Sequence, residues 1–346
     1  MHPLGNVEPM RAIVYSETGP SSVLRLVERE VPTPGPGELR VRLSRAGVNP
    51  TDWKARAGGT YAALPYDEIT PGQDGAGVVD AVGEGVLGFG VGDRVWVLLA
   101  QHGRAHGTAA EHVVVPAEKA VHLPVGASFD LGAALGVPAI TAHRALTSGD
   151  VDRLEPGALA GRTVLVAGGA GAVGNAAIQL ARWAGATVIS TVSSDEKAAL
   201  AIAAGAHQTV NYRVGDAVAE VKALAPDGVD LVVEVAPAVN NDLDREVLRV
   251  HGTVAIYANN GGDEMTLPLR ATFSKNLRYQ FVLLYTLAPE LLRTAAEDVA
   301  AAVEAGALRV GDEVGVPLHH YPLEQAGAAH DAVEQGAVGK VLIDLD

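Results

Sequence analysis

TVLVAGGAGAVGNAAIQLARWAG, residues 163–185, decides the fold. Its opening run, TVLVAG, is apolar and β-branched, the pattern of a strand buried on both faces. From Val173 the apolar positions Val173, Ala177, Leu180 and Ala184 recur at helical spacing, and Gly185 stands where such a helix would stop. Between strand and helix, Gly169, Gly171 and Gly174 form G-x-G-x-x-G. Glycine allows the tight turn and the close approach of a backbone, while the exposed N–H groups and dipole of the helix start stabilise a pyrophosphate. Gly169, Ala170, Gly171, Ala172, Val173 and Gly174 are therefore read as a dinucleotide-binding loop. The bland alternative is a bare glycine-rich turn, which needs neither the strand before it nor the helix after it.

Outward from this stretch the alternation continues. ATVISTV is a second strand, followed by a helix from about Asp195 to Ala204 with Gly205 at its left-handed cap. QTVNY, VDLVVEV and TVAIY supply further strands, with helices predicted near Ala217–Ala225 and Leu243–Val250. This is the rhythm of a doubly wound α/β domain with a parallel sheet. Upstream, from Arg11 to about Ala120, short β-rich runs such as ELRVRL, DRVWVLL and EHVVV alternate with Gly- and Pro-rich turns, predicting a small barrel-like domain. From Pro289 an Ala-rich helix, a turn around Gly311 and closing strand and helix elements complete the chain. A length of 346 residues fits two domains better than one.

Composition narrows the function. The formal charge of −15 opposes phosphate backbones and anionic lipid, so neither nucleic-acid nor membrane partners are expected. The sequence contains no cysteine, which excludes disulfides and every thiolate-based zinc site. No secretory signal pattern or run of transmembrane length is present, and a cytoplasmic location is expected. Residues 1–9 read as a loose extension, with Met10 an alternative start.

Cofactor choice turns on the end of the second strand, where NAD-binding domains carry an acid that bonds the ribose 2′-hydroxyl. Nineteen residues after Gly174 stands Ser193. A carboxylate there would repel a 2′-phosphate by about 4 kcal/mol at ~4 Å and an effective dielectric near 20; serine has no such effect. Lys197 lies one helical turn on, in reach of that phosphate, and Tyr212 at the end of the third strand offers a hydroxyl. NADPH is therefore expected over NADH. The alternative is that Ser193 and Glu196 form a capping box and Lys197 is merely solvated. His102, His106 and His112 tempt a metal reading, but QHGRAHGTAAEH reads as a loop, and the adjacent His319 and His320 add no ligand spacing.

With these residues in place, PTPGPGELRVRLSRAGVNPTDWKARAGGTY, PGQDGAGVVDAVGEGV, VGDRVWV, GVPAITAHRAL and GAVGKVLIDL are similar, in order, to stretches of the zinc-independent quinone oxidoreductase (zeta-crystallin-like) family of medium-chain dehydrogenases/reductases. The resemblance implies a GroES-like catalytic domain over residues 1–131, a Rossmann NADPH-binding domain over 132–287 and a return to the catalytic domain over 288–346, with the cofactor in a cleft between domains. It implies reduction of a small-molecule quinone, with reduction of an activated alkene such as an enone as the alternative and an NADPH-binding structural or RNA-binding role as a third reading. Zinc-dependent relatives hold their metal at positions that match Asn49 and Gln73–Asp74 here. Asn49, Trp53 and Tyr61 are expected at the substrate end, and Lys54 stands where relatives often carry a tyrosine. Thr141, Asn240, Tyr257, Ala258, Asn259, Phe281, Val282 and Leu283 match positions that border the cofactor. For Thr141 and Asn240 the alternatives are a backbone-bonded helical threonine and a helix cap. RYQFVLLYTL matches the edge strand through which such proteins form homodimers.

Overall fold

In the computed structural model, residues 9–59 and 64–346 are described, so Tyr61 lies outside the described residues. Gly- and Pro-rich turns divide the first part of the chain into β1 (Pro9–Val14), β2 (Arg25–Glu30), β3 (Glu38–Val48), β4 (Asp74–Val82), β5 (Arg94–Val97), β6 (His112–Pro116) and β7 (Ala120–His122). β1 pairs with β2, while β3, β4, β5 and β7 run side by side and β6 pairs with β3. Along β3, Leu39, Val41 and Leu43 are buried while Arg40 and Arg42 are not, the period-2 alternation of a strand with one face in a core. Two register shifts against β4 bend that strand, as bulges do. α1 (Pro50–Arg56) starts with Pro50 at its first position behind the N-cap Asn49, and α2 (Phe129–Gly132) is capped by Ser128.

A π-helical turn, Leu135–Ala139, precedes α3 (Ile140–Leu146). Then come β8 (Thr163–Ala167), α4 (Ala172–Trp183), β9 (Thr187–Val192), α5 (Asp195–Ala203), β10 (Gln208–Asn211), α6 (Ala217–Leu224), β11 (Val229–Glu234), α7 (Pro237–Val247), β12 (Leu248–Ile256), α8 (Leu269–Phe273), β13 (Arg278–Phe281) and α9 (Pro289–Glu304). All the pairings are parallel and the order is β10-β9-β8-β11-β12-β13. Strand order therefore reverses between β8 and β11, which makes their C-terminal ends the switch point where such sheets bind ligands. The predicted helix 243–250 is corrected to α7: Pro237 presets the first helical turn, and Leu248 is already extended.

The chain then returns through β14 (Leu318–Pro322), α10 (Ala326–Glu334) and β15 (Lys340–Asp344), which pairs antiparallel with β3. Two compact units result, one of residues up to Val137 plus Leu318–Asp346, the other Pro138–Pro317. The second crossing falls at 317/318 rather than 287/288. The reason is α9, whose buried face of Ala295, Val299 and Ala302 packs against α3 of its own unit.

Candidate functional site

The glycine loop joins β8 to α4, with Gly168 at φ 68° and Gly171 as the N-cap of the helix. A Cβ on Gly169 would sit 2.2 Å from the Ser190 hydroxyl, and one on Gly174 would sit 2.4 Å from the Gly168 carbonyl oxygen. Those two glycines are demanded by the packing of helix on strand. Gly171 differs, because a Cβ there would meet only the Gly168 oxygen at 3.5 Å. The space beside it is open, and the N–H groups of Ala172, Val173 and Gly174 open the twelve-residue α4 next to it. Ala170 is buried beneath the turn. The loop fits a dinucleotide pyrophosphate.

At the C-terminal end of β9, Ser193 accepts a hydrogen bond from Lys197 Nζ at 3.1 Å. Ser194, not Ser193, caps α5, accepting from the Lys197 N–H at 3.3 Å, so the proposed Ser193–Glu196 capping box is corrected. That shift by one residue leaves Ser193 and the ammonium to each other. Tyr212 follows β10, is half exposed, and its N–H donates to the Val192 carbonyl, tying the two strand ends together.

Beyond β11, β12 and β13 lies a cavity of about 290 Å³. Tyr257, Ala258, Asn259, Phe281, Val282 and Leu283, all singled out in the sequence, line it together with Pro237 and Met265. Thr141 is not in that lining; its side chain is buried in α3, where no described residue bonds its hydroxyl. Asn240 neither caps a helix nor lines the cavity. It lies inside α7 and donates to Glu234 Oε1 at 3.0 Å. Glu234 is fully buried at the end of β11, and Asp244 is buried on α7 against it. Burial first, then the neighbouring Glu234 carboxylate, raises the Asp244 carboxyl well above its ordinary range, which favours its neutral form. Burial also raises the Tyr257 phenol, with Glu234 adding to the effect. The acid pair was missed in the sequence because an acid at a strand end usually faces water.

In the first unit Asn49 is only 2 % exposed, and its side chain is engaged rather than open. Its Nδ2 donates to Asp74 Oδ2 at 2.7 Å, and its Oδ1 accepts from Lys340 Nζ at 2.8 Å. Lys340 Nζ also lies 3.4 Å from Asp74 Oδ2, and Asp74 Oδ1 accepts from the Val137 N–H at 2.8 Å. Asp52 Oδ2 accepts from the Asn49 N–H at 2.7 Å, and burial pushes the Asp52 carboxyl up to about 7. Burial likewise raises Asp74 and lowers Lys340, each opposed by the other's charge. Trp53 is half-buried, with Lys54 Nζ 5.9 Å from its ring centroid. Zinc does not fit this donor set: there is no thiolate, and the buried ammonium of Lys340 stands where a cation would. Lys340 escaped the sequence reading because, within VGKVLIDL, it looks like a solvated strand end.

The histidines are separately engaged. His112 Nε2 lies 3.2 Å from Asp80, His319 Nε2 is 2.8 Å from the Val338 carbonyl, and His320 Nδ1 is 2.8 Å from Asp344. Among the described residues, no group of three or more His, Asp or Glu side chains could hold a metal ion, and no helix is long and apolar enough to cross a membrane.

A parallel sheet of this strand order with a glycine loop at its switch point, joined to a mostly antiparallel unit built from both chain ends, defines an oxidoreductase of the medium-chain dehydrogenase/reductase class. Residues 35–125 match the alcohol dehydrogenase GroES-like domain family, and residues 172–301 match the family described as zinc-binding dehydrogenase. A quinone oxidoreductase of Lama guanicoe is 35% identical over 97% of this chain and 98% of its own length. Among solved structures, an NAD-dependent alcohol dehydrogenase superposes with TM-score 0.85 at 34% identity, covering 97% of this chain and all of that one. The Escherichia coli quinone oxidoreductase complexed with NADPH gives TM-score 0.79 at 27% identity, covering 96% of this chain and 99% of that one. The chain belongs to the quinone oxidoreductase family.

Proposed function

We propose that this protein reduces quinones with NADPH by hydride transfer, without a metal. The observation that carries the reading is the donor set of Asn49, Asp74 and Lys340, which offers no Lewis acid to polarise an alcohol or an unactivated carbonyl. Bound NADPH would supply the hydride, and a quinone is electrophilic enough to accept it once it is held beside the donor. In the second unit the N–H groups opening α4 bind the pyrophosphate, and Ser193 with Lys197 takes the 2′-phosphate. Tyr212 adds a hydroxyl at that end, and the cavity formed by Tyr257–Asn259 and Phe281–Leu283, with the Thr141 hydroxyl, serves the rest of the cofactor. Asn49 and Trp53 belong to the acceptor end. The NADPH-bound Escherichia coli relative supports the cofactor assignment.

The outer edge of β13 has no strand partner among the described residues, and Phe281 and Leu283 are 63% and 55% exposed there. We assign that edge to a second copy of the chain, giving a homodimer, with sedimentation velocity as its check. For the reaction, NADPH oxidation is followed with 1,4-benzoquinone, 9,10-phenanthrenequinone and a simple enone, after dialysis against a chelator. Turnover of the quinones above the enone is expected. No NADPH consumption with any quinone removes the proposal, and faster enone reduction replaces it with the double-bond reductase reading.

A further inference from the structure

Ionised, Asp74 accepts on both oxygens and donates nothing, and three donors converge on it: the Val137 N–H, the Asn49 amide and the Lys340 ammonium. A protonated acid would set its own hydrogen against one of them, so the arrangement is that of a carboxylate paired with an ammonium. Packing holds the pair closely. A Cβ on Gly47 would lie 2.9 Å from both Lys340 Cε and Nζ and 2.1 Å from the Ala133 carbonyl oxygen. One on Gly136 would lie 2.2 Å from Asp74 Oδ1. Both charged side chains thus run through space that glycine alone leaves open.

The pair also removes the ambiguity of the Asn49 amide. Lysine only donates and carboxylate only accepts, so the flipped amide would bring NH₂ against NH₃⁺ and oxygen against oxygen. The Asn49 side-chain oxygen has Lys340, and the Asp52 N–H bonds the Asn49 backbone carbonyl at 3.0 Å. One nitrogen hydrogen goes to Asp74. The second is the single polar hydrogen of this side chain with no acceptor among the described residues.

We propose that Lys340 is the resident cation of this site, excluding a divalent metal from it, and the positioning residue that makes Asn49 present an N–H, rather than an oxygen, to the oxygen of a carbonyl acceptor. The role given to Asn49 rests on the reductase reading above. The charge pairing does not.

The test has two arms. Unfolding midpoints are measured for Lys340→Met, Asp74→Leu and the double variant. If the two charges pair, each single variant strands a buried charge, and the double recovers part of the loss. Midpoint losses that simply add overturn the pairing, whatever the enzyme's activity. Zinc content after growth and dialysis in zinc-supplemented medium is read alongside, and stoichiometric zinc in the wild-type chain overturns the resident-cation role. In the second arm, kcat and KM for 1,4-benzoquinone are measured for Lys340→Met, Lys340→Arg, Asn49→Ala and Asn49→Ala/Lys340→Met, with NADPH affinity from fluorescence. Lys340→Met lowers kcat/KM on the order of 10- to 100-fold with NADPH affinity retained, and Lys340→Arg restores part. Once Asn49 is alanine, Lys340→Met costs nothing further. Equal losses in both backgrounds overturn the positioning role even where the pairing stands. A chain that binds NADPH but reduces no quinone overturns the reductase reading and, with it, the role of Asn49.

Discussion

Lys197→Ala is the sharpest test of cofactor choice. The ammonium is held 3.1 Å from the Ser193 hydroxyl at the end of β9, and no described carboxylate forms an ion pair with it. A 2′-phosphate placed about 4 Å from the ammonium would be attracted by about 1 kcal/mol at the dielectric of water and about 4 kcal/mol at an effective value near 20. Lys197 is half-buried, so the expected contribution falls between those limits, at about 1.5–2 kcal/mol, which is roughly a 10- to 30-fold weaker Kd for NADPH. NADH has no such phosphate, and its Kd should move by less than about twofold. Quenching of tryptophan fluorescence gives both constants at ~0.01 M and ~0.1 M salt. The NADPH effect should shrink with added salt as the screening length falls from about 30 to about 10 Å. Equal weakening of both nucleotides, or a salt-independent NADPH loss, refutes the assignment.

The glycines of the loop should separate by role. Gly171→Ala is expected to weaken NADPH binding while costing no more than about 1 kcal/mol of stability through the poorer N-cap, read from titration and thermal unfolding. Gly174→Ala, whose Cβ would press on the Gly168 oxygen, should lower the melting temperature even without nucleotide. Arg56→Ala removes a fully buried guanidinium bonded to the Gly19 carbonyl and to Glu334, and denaturant unfolding should show a loss of about 2–4 kcal/mol. Asp244 has a raised pKa in the folded chain, so its protonated form stabilises fully below the ordinary carboxylate range, and that stability is lost as pH rises through the folded value. Asp244→Asn, which cannot ionise, should therefore gain in melting temperature relative to wild type between pH 5 and pH 9; a pH-independent difference contradicts the raised Asp244 pKa.

Local signals carried the second unit far. Runs of five to seven residues, apolar except for QTVNY and alternating with helical patterns, pointed to β8 to β12, and the glycine loop marked where the sheet turns ligand-binding, because backbone requirements are written in single residues. The start of α7 was misplaced because the Pro237 signal was passed over in favour of later apolar spacing. What stayed hidden depends on distance along the chain. Lys340 meets Asn49 across 291 residues, and nothing near either residue shows the pairing. Asn240 reads as a cofactor contact or as a cap because it stands just before the helix expected from Leu243; only the fold reveals Glu234 beneath it.

The contrast between the two buried acid sites follows from what each has for a partner. Asp74 has a cation within 3.4 Å and three donors, which only the anion satisfies. Among the described residues Glu234 and Asp244 have no cation beside them, and both Asp244 oxygens are without a hydrogen-bond partner, so burial favours the neutral acid there. Burial alone would neutralise a carboxyl in either place. A fixed ammonium at Asp74 opposes that tendency and leaves an anion to orient Asn49, whereas in the second unit nothing opposes it and Asp244 is pushed toward its neutral form. The first arrangement should tolerate a wide range of pH with its geometry intact, and the second should loosen at alkaline pH beside the Tyr257 wall of the cavity. Hydrogen exchange of the α7 amides at pH 6 and pH 9, compared with those of β15, tests that difference: protection falling equally in both would mean that the cation gives Asp74 no advantage.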